Sequence, residues 1–85
     1  MAALLNLPNG HVSLEFRASD MASIGKLLRK LHGKPSIVQH PTFSEYQFVG
    51  FSLIFQNEWD DPCLISSSNE GDQALHMLRD LLSAA

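Results

Sequence analysis

Four histidines and one cysteine are the side chains of this sequence best suited to catalysis or metal binding, and their spacing favours neither. His11, His32, His40 and His76 are scattered, and none forms a metal-binding spacing with Cys63. Cys63 would need a base beside it to act as a nucleophile, and a half-buried structural thiol is the commoner role at the start of a strand. We therefore predict a protein that is not an enzyme and holds no metal or cofactor.

An acidic segment around Trp59 is the other place where chemistry could occur. Glu58, Asp60 and Asp61 could supply paired carboxylates for acid–base work or a hard cation, but they lack the alternating ligands of a calcium loop. An acidic hairpin turn explains them more simply. Trp59 could fold over the edge of the core or anchor a partner protein. These four residues are the candidate acidic-loop contact.

Length and composition predict one domain over residues 1–85. The chain has 85 residues and one cysteine, so it forms no internal disulfide, which fits a reducing compartment. The first ten residues lack the basic start of a signal peptide, and no stretch reaches the ~20 apolar residues of a membrane span. We expect a cytoplasmic protein without a membrane anchor.

Charge is divided unevenly along the chain. Residues 1–44 carry five basic and two acidic side chains, whereas residues 45–85 carry one basic and seven acidic side chains, for a net charge of −3. Solvated helix faces and an acidic turn explain this division. Docking of the basic helix of one subunit on the acidic loop of another would explain it as well. The acidic total argues against nucleic acid as a partner.

The longest apolar run, Tyr46 to Gln56, alternates with period two and predicts one long strand. Val49, Phe51, Leu53 and Phe55 would then face the helices. The opposite side would carry Tyr46, Phe48 and Ile54 among small and polar residues. Because large apolar groups on an open sheet face usually mark an interface, these three residues are the predicted core of a self-association surface.

The remaining elements follow from alternation, helical spacing and breakers. The sequence predicts a strand at His11–Arg17 and an edge strand at Pro35–His40. A short strand follows at Cys63–Ile65. One helix is predicted from an N-cap at Ser19 to a stop at Gly33, and another from the serines near Asn69 to the C-terminus. Pro8-Asn9-Gly10 is a turn signal, so residues 1–10 could form an N-terminal hairpin arm or a loose end.

The predicted fold class is α+β, in the order β-α-β-β-β-α with a possible extra strand in front. Two amphipathic helices need an apolar surface, and the sheet offers one strongly apolar face. We therefore expect a two-layer sandwich in which an antiparallel sheet of four, or five, strands carries both helices on one face.

Two families share part of this element order. Double-stranded-RNA-binding domains have the order α-β-β-β-α, but they place lysines where this chain has Asn69, Glu70 and Asp72. From Tyr46 to Leu82 the order of strand, acidic turn, Asp61-Pro62-Cys63, strand and helix resembles HicB-type antitoxins. The glycine that usually follows the proline in that family is missing here. This resemblance implies toxin neutralisation as one function to consider.

Three functions are compatible with these features. The first is a non-enzymatic module that self-associates, as a two-fold dimer, through Tyr46, Phe48 and Ile54. The second is an acidic protein, antitoxin-like or immunity-like, that binds a basic partner through Glu58, Trp59, Asp60 and Asp61. The third is a small-molecule site between helix and sheet, or on the open face, with His40 or Tyr46 as its polar group.

Overall fold

The protein is described by a computed structural model that covers residues 2–58 and 61–84, without the side chain of Glu58. It has the α+β class that the sequence predicts. The elements are β1 (Ala3–Asn6), β2 (Val12–Glu15), a 3-10 turn (Ala18–Asp20), α1 (Met21–His32), β3 (Ser36–Gln39), β4 (Ser44–Phe48), β5 (Phe51–Glu58), β6 (Asp61–Ser66) and α2 (Asn69–Ser83).

The strands form one antiparallel sheet of six strands in the order β1-β2-β6-β5-β4-β3. The prediction of four or five strands was therefore too low. The N-terminal arm does form a strand, since Asn6 pairs with Val12 and Ala3 with Glu15. The segment predicted as an edge strand is β3, which ends the sheet on one side. β6 lies between β2 and β5, so the first and last thirds of the chain meet in the centre of the sheet.

The long apolar run predicted as one strand is a hairpin of two strands, β4 and β5, which also raises the number of strands above the prediction. Phe48 pairs directly with Phe51, and Val49 and Gly50 form the turn between them, with Gly50 at φ +92°. A glycine meets this backbone requirement without a steric penalty. Val49, predicted to face the core, is 97% exposed at this turn.

The hairpin changes the side of the sheet on which two predicted residues lie. Directly paired residues share one face, so Phe48 and Tyr46 lie on the same side as Phe51 and Leu53. The expectation that Tyr46 and Phe48 face away from the helices was wrong. Phe48 is buried, and its ring stacks on that of Phe51 with the centroids 5.1 Å apart.

One hydrophobic cluster joins this sheet face, here called the core face, to both helices. Leu14, Leu53 and Leu64 from three central strands are buried, as are residues of α1 and α2. The buried members of the cluster are Val12, Leu14, Phe16, Ile24, Leu28, Phe48, Leu53, Leu64, Leu75 and Leu78. In α1, apolar residues follow one another at helical spacing, but only Ile24 and Leu28 are buried, whereas Met21 and Leu31 are each 40% exposed.

The helix ends agree in part with the predicted caps. Helix α1 ends at His32, and the residue after it, Gly33, caps the helix with φ +83°, as expected of a glycine stop. It begins at Met21 after the 3-10 turn, so the predicted Ser19 cap was wrong. The N-cap of α2 is Ser68, whose hydroxyl oxygen accepts a hydrogen bond of 3.0 Å from the Gly71 N–H. Neither helix is long and apolar enough to cross a membrane within the described part of the chain.

Candidate functional site

The sheet face opposite the core face, here called the open face, is the most distinctive surface of the molecule. Its members follow from the strand registers, because residues paired across strands point to the same side. One row of pairs crosses the whole sheet through Leu5, Ser13, Ile65, Ile54, Glu45 and Val38. In the described residues, the buried side chains of both helices pack against the core face and not against the open face.

Four members of this row are aliphatic, and we call them the apolar strip: Leu5, Ile65, Ile54 and Val38. Leu5 and Val38 are 45% and 39% exposed at the two edge strands, and the two isoleucines pair with each other in the centre. Cys63 lies one pair away from Ile65 on the same face. The strip follows one row across the sheet and is interrupted at β2 and at β4.

The two interruptions of the strip are small or charged. Ser13 is buried between its neighbours, with 6% of its surface exposed. Glu45 is partly exposed, and its Oε1 lies 3.7 Å from Nε2 of His40, whose ring stacks on Phe43. Exposed polar residues, among them Glu15 and Gln47, flank the strip. An apolar centre with a polar rim is the usual anatomy of a protein interface.

The structure separates the three residues predicted to form the interface. Ile54 lies in the centre of the apolar strip, but Tyr46 and Phe48 lie on the core face. Ile65, Leu5 and Val38 were missed. The alternation in Cys63-Leu64-Ile65 already indicated that Ile65 points away from the core, but its place beside Ile54 depends on the strand order, which the sequence does not show.

The acidic-loop contact lies mostly outside the described residues. Trp59, Asp60 and the side chain of Glu58 are not described. Asp61 is exposed, and its backbone pairs with that of Glu58 at the end of β5 and β6. The binding of a basic partner through these residues stays a prediction.

His11 and Asp72 form the best-defined polar contact of the molecule. Nδ1 of His11 lies 2.8 Å from Oδ2 of Asp72, and the Val12 N–H donates to Oδ1 at 3.2 Å. Burial raises the pKa of Asp72, but the combined interactions with His11, Ser66 and the Val12 N–H outweigh it and leave that pKa below its ordinary value. Because the carboxylate is ionised at neutral pH, Nδ1 of His11 donates. The pair ties the start of α2 to β2, which is a structural role.

Replacing Asp72 with asparagine is expected to lower the free energy of unfolding by about 1 kcal/mol at pH 7, since hydrogen bonds to a charged acceptor are lost. The lowered pKa of Asp72 means that the carboxylate stabilises the fold above its unfolded-state pKa. That contribution disappears as the pH falls through the folded-state pKa. The gap between wild type and variant should therefore close below about pH 4. Urea unfolding at several pH values measures it.

The exposed Asp80 provides the control, because its side chain pairs with that of its neighbour Arg79 on the surface. Asp80→Asn should leave unfolding within a few tenths of a kcal/mol of wild type at every pH. A gap for Asp72→Asn that stays constant down to acidic pH would contradict the assigned role of the charge.

The other histidines and the cysteine are not brought together. Nε2 of His32 is buried and has no hydrogen-bond partner among the described residues, and the ring of His32 meets that of Phe51 edge-on with the centroids 5.0 Å apart. No group of three or more His, Cys, Asp or Glu side chains within residues 2–58 and 61–84 could hold a metal ion.

Comparison with known proteins adds no relative. No family model, no curated protein and no solved structure matches this chain. The class that the structure defines is α+β, with a six-stranded antiparallel sheet and two helices.

Proposed function

We propose that this protein is a non-enzymatic interaction module that self-associates through the open face of its sheet. Both helices would cover the core face, and two copies would stack their open faces about a two-fold axis. The apolar strip carries this proposal, because two isoleucines, a leucine and a valine form one row on the face opposite the one against which both described helices pack. With one cysteine in the chain, we propose a reducing, cytoplasmic setting.

The position of Glu45 selects the direction of the two-fold axis. An axis that runs along the strip would set Glu45 against its own copy, and two carboxylates would face each other. An axis that crosses the strip between β6 and β5 sets Glu45 against Ser13 and avoids this repulsion. Ile65 of one copy then lies against Ile54 of the other, and Leu5 lies against Val38. We propose this second arrangement.

The size of the face predicts a dimer of modest affinity. Six strands spaced about 4.8 Å apart make a sheet roughly 24 Å wide. Five residues along each strand, at about 3.4 Å per residue, give a height of roughly 17 Å and thus a planar area of about 400 Å² per copy. Stable interfaces bury about 800 Å² of accessible surface per partner, and the accessible area of a pleated face exceeds its planar area. The interface therefore falls near the lower limit, and we expect dissociation on dilution.

Replacing Ile65 with lysine should abolish the dimer, because two charges would be buried in the contact without partners. Sedimentation velocity should show wild type shifting from monomer to dimer with concentration, while Ile65→Lys stays monomeric with an unchanged circular dichroism spectrum. Gln47→Lys adds the same charge on the same face outside the strip and should still dimerise. A dimeric Ile65→Lys would refute the assigned face.

A mixing experiment tests the pairing of the two isoleucines. Ile54→Glu should also be monomeric alone, but a mixture with Ile65→Lys should form a heterodimer, since the new charges then face each other. If wild type is dimeric but the mixture stays monomeric, the proposed two-fold axis is wrong, although the open face can still be the interface.

A further inference from the structure

A groove with a volume of about 390 Å³ lies between helix α1 and the β3–β4 edge of the sheet. This volume falls in the range of about 300–1,000 Å³ that small-molecule sites occupy. Its walls are mainly apolar and come from both layers: Met21, Gly25, Leu28, Ile37, Tyr46 and Phe48.

The groove exists because α1 is not closely seated over this part of the sheet. A Cβ at Gly25 would meet no atom within 4 Å, so the helix presents a gap where a larger residue would fit. Met21 and Ile37, which line the groove, are 40% and 49% exposed. A second space of about 60 Å³ shares Gly25 and Tyr46 with the groove and reaches inwards to Phe55. The apolar part of the groove therefore continues towards the core.

The lining also includes two cations. Lys26 and Arg29 belong to the exposed side of α1, and neither forms an ion pair with another residue in the described ranges. Tyr46 adds a phenol group on the strand side, without a hydrogen-bond partner among the described side chains. An apolar slot with two unpaired cations complements a ligand that has an apolar body and one negative charge.

We propose that this groove binds an amphipathic anion, with an aliphatic chain under α1 and a carboxylate near Lys26 and Arg29. The site lies on the core side of the sheet, away from the open face, so it is independent of self-association. It also uses Tyr46, the residue that the sequence singled out for an interface on the other side.

Isothermal titration with decanoate below its micellar concentration tests the proposal, with decanol and decylammonium as chain-matched comparisons. Decanoate should bind at one site per chain, more weakly as salt rises, and at least several-fold more tightly than either comparison. Arg29→Gln and Lys26→Gln should each weaken binding by about threefold. Lys30→Gln removes an exposed α1 charge that does not line the groove and should change nothing. Equal binding of all three probes would overturn the assignment.

Gly25→Leu separates binding from folding. Leucine forms helices better than glycine, its Cβ would meet no atom within 4 Å, and Gly25 lines the groove into which the rest of the side chain would extend. The variant should therefore unfold at the wild-type temperature or higher and should lose decanoate binding. Undiminished binding would overturn the proposal. A different result would also overturn the proposal. If wild type does not bind decanoate and Gly25→Leu no longer self-associates, a second copy of the chain occupies the groove.

Discussion

Replacing Phe48 with glutamate is expected to lower the free energy of unfolding by several kcal/mol at neutral pH. Phe48 is 9% exposed, and its ring packs on Phe51 and lies 5.9 Å from the ring of His32. Losing a buried phenylalanine costs about 3–5 kcal/mol, and the unpaired carboxylate adds to that cost. A chain of 85 residues has a total stability of about 4–13 kcal/mol. The substitution therefore removes a large share of that stability.

The neighbouring residue provides a matched control. Val49 is 97% exposed in the turn, so Val49→Glu should leave the urea midpoint and the circular dichroism spectrum unchanged. A folded, monomeric Phe48→Glu would instead support the original expectation that Phe48 lies on an interface. The pair of variants thus decides on which side of the sheet the hairpin places its aromatic residues.

Replacing Gly71 with alanine is expected to lower the free energy of unfolding by about 1–3 kcal/mol, although alanine normally stabilises a helix. A Cβ at Gly71 would lie 2.5 Å from Oγ of Ser66, which cannot be accommodated without a shift. Ser66 is 1% exposed, and its hydroxyl donates to the carbonyl oxygen of Ser68 at 2.9 Å. The side chain that must move is therefore held in place at the start of α2.

Gly25→Ala is the opposite case, because its Cβ meets nothing within 4 Å. It should raise the free energy of unfolding by about 0.5–1 kcal/mol. Chemical denaturation of both variants measures the difference in sign. In a Ser66→Ala background, the penalty of Gly71→Ala should shrink, because the clashing oxygen is absent. Stabilisation by Gly71→Ala would contradict the close packing between α2 and β6.

Both helices and most of the strands could be predicted because their signals are local. The apolar stripe of α1 and its glycine stop lie within one segment, and the same holds for the alternation of β2 and for α2. The fraction of the α1 stripe that is buried could not be predicted in this way. That fraction depends on how far the helix stands from the sheet, which is a tertiary property.

The hairpin at Val49-Gly50 was missed because its turn interrupts the sequence pattern very little. A two-residue turn puts Phe48 and Phe51 on one face, whereas an unbroken strand would put them on opposite faces. The residues on both sides of the turn are apolar or aromatic. The change of sheet face at the turn therefore leaves no polar residue in the sequence that would mark it. Gly50 was the one local sign of a turn.

The candidate interface could be predicted only in part for a related reason. Ile54 was identified because the alternation within β5 is correct on that side of the turn. Ile65 joins it because β6 pairs with both β5 and β2, an order that consecutive strands alone do not indicate. Leu5 and Val38 complete the strip from the two edges. The surface is therefore a product of sheet topology.

The molar mass of the wild-type protein in solution, measured by light scattering over a wide concentration range, tests the central claim most directly. We predict a rise from the 9.4 kDa monomer to a dimer of twice that mass, with little dependence on salt because the contact is apolar. A dimer that dissociates in salt would favour docking of the basic helix on the acidic loop. A monomer at every concentration would contradict self-association through the apolar strip.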